Sequence, residues 1–199
     1  MSWCYVIGVD YGYTDATAFC VVGWRPNDPT VYVVECYKRT ELTPSDAADE
    51  LKALVDRFKP ERLVADIGGL GKGYAEEAKK RWSLPIEPAQ KNDKRGYQKL
   101  FVGDLQKARI KVLRHKCLEL LDEWSKLPWR EDREAEAEGF DNHCSDACLY
   151  AWREAVAYFE RERPPPPTRE ELVRQAEQEL EEATLAAVER EMNAEWWEK

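Results

Sequence analysis

The 199-residue sequence lacks both glycine patterns that commonly cradle nucleotide phosphates. Gly71-Lys72 is followed by Gly73, so no serine or threonine hydroxyl stands where a phosphate loop would offer one to Mg²⁺. The glycines after Asp66 fall at 68, 69, 71 and 73, which also misses the G-x-G-x-x-G spacing of dinucleotide-binding turns. No apolar run approaches the roughly 20 residues of a membrane helix. The opening MSWCYVIGVDYG has no basic start and meets an acid early, so no signal peptide is expected. Six cysteines (Cys4, Cys20, Cys36, Cys117, Cys144 and Cys148) include no C-x-x-C pair. They read as reduced thiols filling small core positions in a cytosol-like compartment. Cys144 and Cys148 stand beside His143, but the second ligand pair of a structural zinc site is missing. There is no zinc finger or base-reading helix in the pattern, which predicts little sequence specificity towards any nucleic acid.

Charge is present in quantity, and it is unevenly spread. The formal total is −9, yet Lys72 to Lys116 carries 13 Lys/Arg against 5 Asp/Glu, or +8. Arg161 to Lys199 carries 6 against 11, or −5. A basic middle between acidic stretches fits a protein that meets phosphate on one face. It also fits a set of solvated helix faces, and charge alone leaves the two readings open.

Patterning predicts the element order. WCYVIGVDYG, ATAFCVVGWR and TVYVVECYKR are rich in Val, Tyr, Phe and Thr and are parted by turn residues, as in three consecutive antiparallel strands. TPSDAADELKALVDRF changes to helical spacing, with Thr43 as N-cap, Pro44 at the first helical position, and Leu51, Leu54, Val55 and Phe58 on one face. RLVADI is a fourth strand. A helix over about 73–82, a short strand in LPIEPA, a helix over about 96–108, a short strand in RIKVL and a helix near 116–126 follow. The last core helix is SDACLYAWREAVAYF. The expected organisation is one domain over 1–161, a polyproline spacer over 162–167, and an acidic helical appendage over 168–199 opened by the capping box TREE.

The order βββ-α-β-α-β-α is the ribonuclease H-like pattern, an α/β fold with a mixed central sheet. It places acids on the first strand, the fourth strand and a late helix, and Asp10, Asp66 and Asp146 occupy those places. Three converging carboxylates repel and take up protons unless a cation sits among them. Oxygen donors suit Mg²⁺ or Mn²⁺ better than zinc. His143 precedes Asp146 by three residues and shares its helix face if that helix begins near Asn142. Asp141 is placed either to cap the helix or to hold the histidine, and capping is the first expectation.

At these residues the sequence resembles the nuclease domain of the terminase large subunit of tailed bacteriophages. The resemblance is carried by GVDYGYTDATAF, VADIGGLGKG, AQKNDKRGYQKLFVGDLQKARIKV and DNHCSDACLYAWRE, over about residues 4–158. It implies a metal-dependent endonuclease that cuts double-stranded DNA during viral genome packaging in the host cell cytoplasm. Asp10, Asp66 and Asp146 then hold two Mg²⁺ or Mn²⁺ ions, with His143 as a further ligand. Lys72, Lys91, Lys94 and Arg95 are the expected DNA contacts, holding backbone phosphates or offsetting developing charge. The implied partners are an ATPase motor domain, the portal protein and the small terminase subunit. With no phosphate loop of its own, the chain is expected to be either a fragment or a separately encoded nuclease.

Three alternatives stay open on sequence. DYGYT and DIGG also resemble the phosphate motifs of actin-like and sugar-kinase ATPases, although those need a second lobe. A Holliday-junction-type resolvase of the same fold keeps the acids, and a docking module would work through the tail.

Overall fold

The computed structural model describes residues 3–13, 15–26, 28–126 and 140–162, of which 156–162 by backbone alone. The chain divides into two units, Met1–Arg161 and Glu162–Lys199. Pro164 to Pro167, the Thr168 capping box, Trp196, Trp197 and the Thr14 of the DYGYT motif lie outside the described residues.

Strands β1 (Cys4–Asp10), β2 (Thr17–Trp24) and β3 (Val31–Arg39) form the expected antiparallel meander. Helix α1 (Pro44–Phe58) leads to β4 (Arg62–Ala65), which pairs parallel with β1. Helix α2 (Gly71–Trp82) leads to β5 (Ile86–Pro88), parallel to β4. Helix α3 (Lys94–Gln106) leads to β6 (Ile110–Val112), parallel to β3 on the opposite edge. A 3₁₀ turn (Arg114–Lys116), α4 (Leu118–Lys126) and α5 (His143–Glu162) complete the order. The six strands run β5-β4-β1-β2-β3-β6, the ribonuclease H-like arrangement.

Alternation along β1 divides the core. Val6 faces a cluster shared with α5, whereas Ile7 and Val9 face a second cluster with α1 and α2. Successive strand residues point to opposite faces, so Asp10 stands in phase with Val6 and Gly8, on the α5 side. Strand β2 is buried at every position, as a central strand covered on both faces must be. Gly8 allows α5 to lie close: a Cβ there would stand 2.1 Å from the Ala147 carbonyl oxygen and 2.9 Å from the Ala151 amide. Ala147, Ala151 and Ala155, spaced four apart, are all fully buried on the α5 face of the core. On the other side, Thr43 caps α1 in a box closed by Asp46, with Pro44 in the first turn.

Candidate metal centre

The strand ends, two helix starts and a tight turn assemble the site. Asp10 ends β1. One strand over, the Asp66 amide donates to the Val9 carbonyl at 3.1 Å, which sets Asp66 beside Asp10 on the adjacent strand. The glycines after Asp66 form a turn that folds back on it. The Gly68 amide donates to Asp66 Oδ1 at 2.9 Å, the Gly71 amide donates to the Gly68 carbonyl at 3.0 Å, and Gly69 adopts φ +52°. A Cβ on Gly71 would stand 1.9 Å from the Asp66 carbonyl oxygen, so α2 can start this close to the acid only from a glycine.

Helix α5 begins at His143, three residues earlier than Asp146, which occupies its first turn. With Ala147 pressed on Gly8, the preceding turn reaches the end of β1. His143 Nδ1 donates to Asp10 Oδ2 at 2.8 Å. This hydrogen bond to Asp10 raises the His143 pKa above its ordinary value against the opposing effect of burial.

The basic segment divides among several elements. Lys91 pairs with Asp66, and Lys94 Nζ stands 2.6 Å from Asp146 Oδ1. Asp93 caps α3 by accepting from the Gly96 amide at 3.1 Å, so that helix starts at Lys94, two residues earlier than its spacing predicts. Arg95 follows, half-buried in the first turn. Lys72 lies on α2, 74 % exposed, 3.9 Å from Glu76 of its own helix. Arg81 and Arg109 pair with Asp49 and Asp104. The surplus of +8 is therefore not one continuous face, and its members nearest the acids are Lys91 and Lys94.

Each of the three acids thus rests against a cationic or protonatable side chain: Asp10 on His143, Asp66 on Lys91 and Asp146 on Lys94. Carboxylates at strand and helix ends suit a hard divalent cation, and an imidazole beside them also admits a borderline transition metal. As the side chains stand, no three such groups among the described residues are near enough to enclose one ion. A cation at Asp66 or Asp146 would have to displace Lys91 or Lys94.

One expected role is replaced. Asp141 does not cap α5: its Oδ2 receives Lys38 Nζ at 2.6 Å, and its Oδ1 lies 3.7 Å from His143 Nε2. The cap comes from Glu123 of α4, which accepts from the Cys144 amide at 3.1 Å, the Ser145 amide at 2.9 Å and the Ser145 hydroxyl at 3.0 Å. Lys38 Nζ donates to the same carboxylate at 2.9 Å. Burial alone would lower the Lys38 pKa; hydrogen bonds to Asp141 and Glu123 outweigh it and raise it. Neither Glu123 nor Lys38 is among the site residues expected from the sequence. Cys144 and Cys148 are fully buried in the core. A hydrogen bond with Cys36, then burial, push the Cys144 thiol up, while Cys148 is raised although its bond with Cys20 opposes burial. Among the described residues no helix is long and apolar enough to cross a membrane.

Comparison with known proteins agrees with this architecture. The chain is 33% identical over 61 residues to the terminase large subunit of Escherichia phage T5, an overlap of 31% of this chain and 14% of that protein. The large terminase of a thermophilic bacteriophage, solved with ATP-γ-S, superposes with a TM-score of 0.62 at 20% identity, over 74% of this chain and 38% of that one. The nuclease domain of the bacteriophage SPP1 large terminase, solved with bound Mn, superposes with a TM-score of 0.60 at 17% identity, over 76% and 86%. At such identities the superpositions carry the fold alone, and the chain spans a minor part of the two longer relatives. The decisive match is to a sequence family over residues 7–154, from within β1 to within α5, and on that match the chain belongs to the Terminase RNaseH-like domain family.

Proposed function

We propose that this chain is a metal-dependent endonuclease that cuts double-stranded DNA with little sequence specificity during viral genome packaging. The observation that carries the proposal is that Asp10 and Asp66 end neighbouring strands, that His143 at the start of α5 pairs with Asp10, and that each of the three acids is charge-balanced by a histidine or lysine. Asp10, Asp66, Asp146 and His143 would hold two Mg²⁺ or Mn²⁺ ions. When bound, such ions activate water at neutral pH and stabilise charge on a phosphodiester. Relatives solved with Mn and with ATP-γ-S fit this reading, as the nuclease part of a machine that also binds nucleotide.

The chain's own residues supply the rest. Lys91 and Lys94, released from Asp66 and Asp146 when a cation takes their place, are positioned to take backbone phosphates next to those acids. Exchanging one anionic partner for another keeps each ammonium compensated. Lys72 and Arg95 extend the contact from the starts of α2 and α3. Phosphate contacts of this type fix register without reading sequence. The whole assembly would draw on an ATPase motor domain, the portal protein and the small terminase subunit, acting in the host cell cytoplasm. We further propose that the nuclease ends near residue 161, and that the proline spacer and acidic tail serve partner contacts.

The test is cleavage of supercoiled plasmid in Mn²⁺ by the full chain and by Asp66→Ala. The variant should fold and lose cleavage; near-normal cleavage would overturn the assignment.

A further inference from the structure

We infer that Glu123 is a positioning residue for the metal centre, acting through the first turn of α5. The inference rests on the proposed metal site and adds to it a residue that donates nothing to the cation.

The carboxylate of Glu123 is 2 % exposed and takes four donors: the Cys144 amide, the Ser145 amide, the Ser145 hydroxyl and the Lys38 ammonium. Cys144 and Ser145 are the two residues between His143 and Asp146. A group that fixes their amides fixes the rotation of the short stretch presenting both proposed ligands. An anion at a helix N-terminus is stabilised by the unpaired amides and the helix dipole. Here it is supplied by another helix, so α4 and α5 are locked at the site.

Ordinary helix anchoring is provided elsewhere on α5. Gly8 admits Ala147 and Ala151, Glu154 pairs with Arg62, and Arg153 lies 3.7 Å over the Tyr97 ring. The Gly8 contact begins directly after Asp146, and the Arg62 and Tyr97 contacts lie about two turns further along the helix. The Glu123 cap acts between the two proposed ligands, on two amides, where the Cys36 thiol reaches only the Cys144 carbonyl at 3.6 Å. Lys38 extends the same network to Asp141, which approaches His143 from its other nitrogen. Groups that orient metal ligands from behind commonly change metal affinity by about 10–100-fold when removed.

The experiment compares Glu123→Gln with Glu154→Gln, a variant that breaks a buried ion pair on the same helix away from the ligands. Circular dichroism establishes folding, melting gives stability, and calorimetry measures Mn²⁺ binding in the full chain. The sequence has two histidines, so nitrogen-15 histidine spectra in EDTA report the His143 ring directly, with exposed His115 as internal reference. Glu123→Gln should weaken Mn²⁺ binding about tenfold or more and shift the His143 resonances. Glu154→Gln should lower the melting temperature and leave both readings as in the parent. If Glu123→Gln does not fold, Glu123→Asp, which keeps the charge, is judged by the same two readings. A folded Glu123 variant with parental Mn²⁺ affinity and parental His143 resonances overturns the inference. If the parent itself binds no Mn²⁺, the metal reading fails, and the histidine spectra alone decide whether Glu123 positions His143.

Discussion

Two groups of carboxylates lie around the first turn of α5, and the fold treats them differently. Asp10, Asp66 and Asp146 sit at strand and helix ends, 13 %, 23 % and 15 % exposed, with charge partners on a histidine and two lysine tips. Glu123 is buried and, besides the Lys38 ammonium and the Ser145 hydroxyl, holds two backbone amides that cannot leave without unwinding the helix. Lysine ammonium groups on four-carbon stems are mobile, strongly hydrated and replaceable. The contrast teaches which acids build the site and which await something from outside. A carboxylate that holds two amides of a neighbouring helix is part of the frame; under the proposed function, one paired chiefly with a removable side chain is a seat for a cation.

The largest test of that contrast is Asp146→Asn against Glu154→Gln on the same helix. The first should lower plasmid cleavage by about 100-fold or more, because several kcal/mol of transition-state stabilisation go with a displaced metal. The second should lower stability and leave cleavage per folded molecule unchanged. Equal losses would erase the distinction between site acids and frame acids.

Gly8→Ala probes the frame from the sheet side. Its new Cβ would meet backbone, the Ala147 carbonyl, so α5 must shift. Chemical denaturation should show a loss of about 1–3 kcal/mol, the usual cost of overpacking. Cleavage should fall further than the folded fraction alone explains.

The double variant Lys91→Ala, Lys94→Ala sharpens the other half. It removes the cations that compete for Asp66 and Asp146, so Mn²⁺ affinity should rise a few-fold. It also removes two proposed phosphate contacts, so DNA binding should weaken. The slope of log affinity against log salt should fall by about 2, near 0.9 per contact. DNA affinity and salt slope both unchanged would show that this pair does not face DNA.

The smallest effect concerns pH. Folding raises the His143 pKa above its ordinary value of 6.5, chiefly through Asp10. Its contribution to stability is therefore fully present below that value and is lost as pH rises through the raised one. In EDTA the melting temperature should decline over that window, and His143→Asn should flatten the decline.

The strands, their order and the positions of Asp10 and Asp66 are legible in the sequence because each rests on local pattern, apolar runs with an acid at the end, and Asp146 shows as the acid that opens a helical pattern. Glu123 is hidden because its partners lie across the chain, 21 residues away on α5. LELLDEWSK offers several acids, and propensity does not say which turns inward. One signal is available. Glu123 keeps helical phase with buried Cys117 and Leu120, and so occupies a core position on an otherwise amphipathic helix. Lys38 gives no comparable sign, standing at the end of β3 among other basic residues. Asp141 departs from expectation for a related reason. Its sequence position suits a cap, but the place is already taken by a carboxylate from another helix.

Gly8 carries a lesson for anyone transplanting this centre. A designer copying Asp10, Asp66, His143 and Asp146 into another sheet-and-helix scaffold would carry over the donors and lose the clearance between the layers. With alanine at that place, the Cβ at 2.1 Å from the Ala147 oxygen must retreat by roughly 1.3 Å or more to reach ordinary contact. Metal–ligand distances tolerate about 0.2 Å. The first residue to copy is thus a buried one with no side chain, just upstream of Asp10 on the same strand, because it sets the spacing between the layers that carry the proposed ligands.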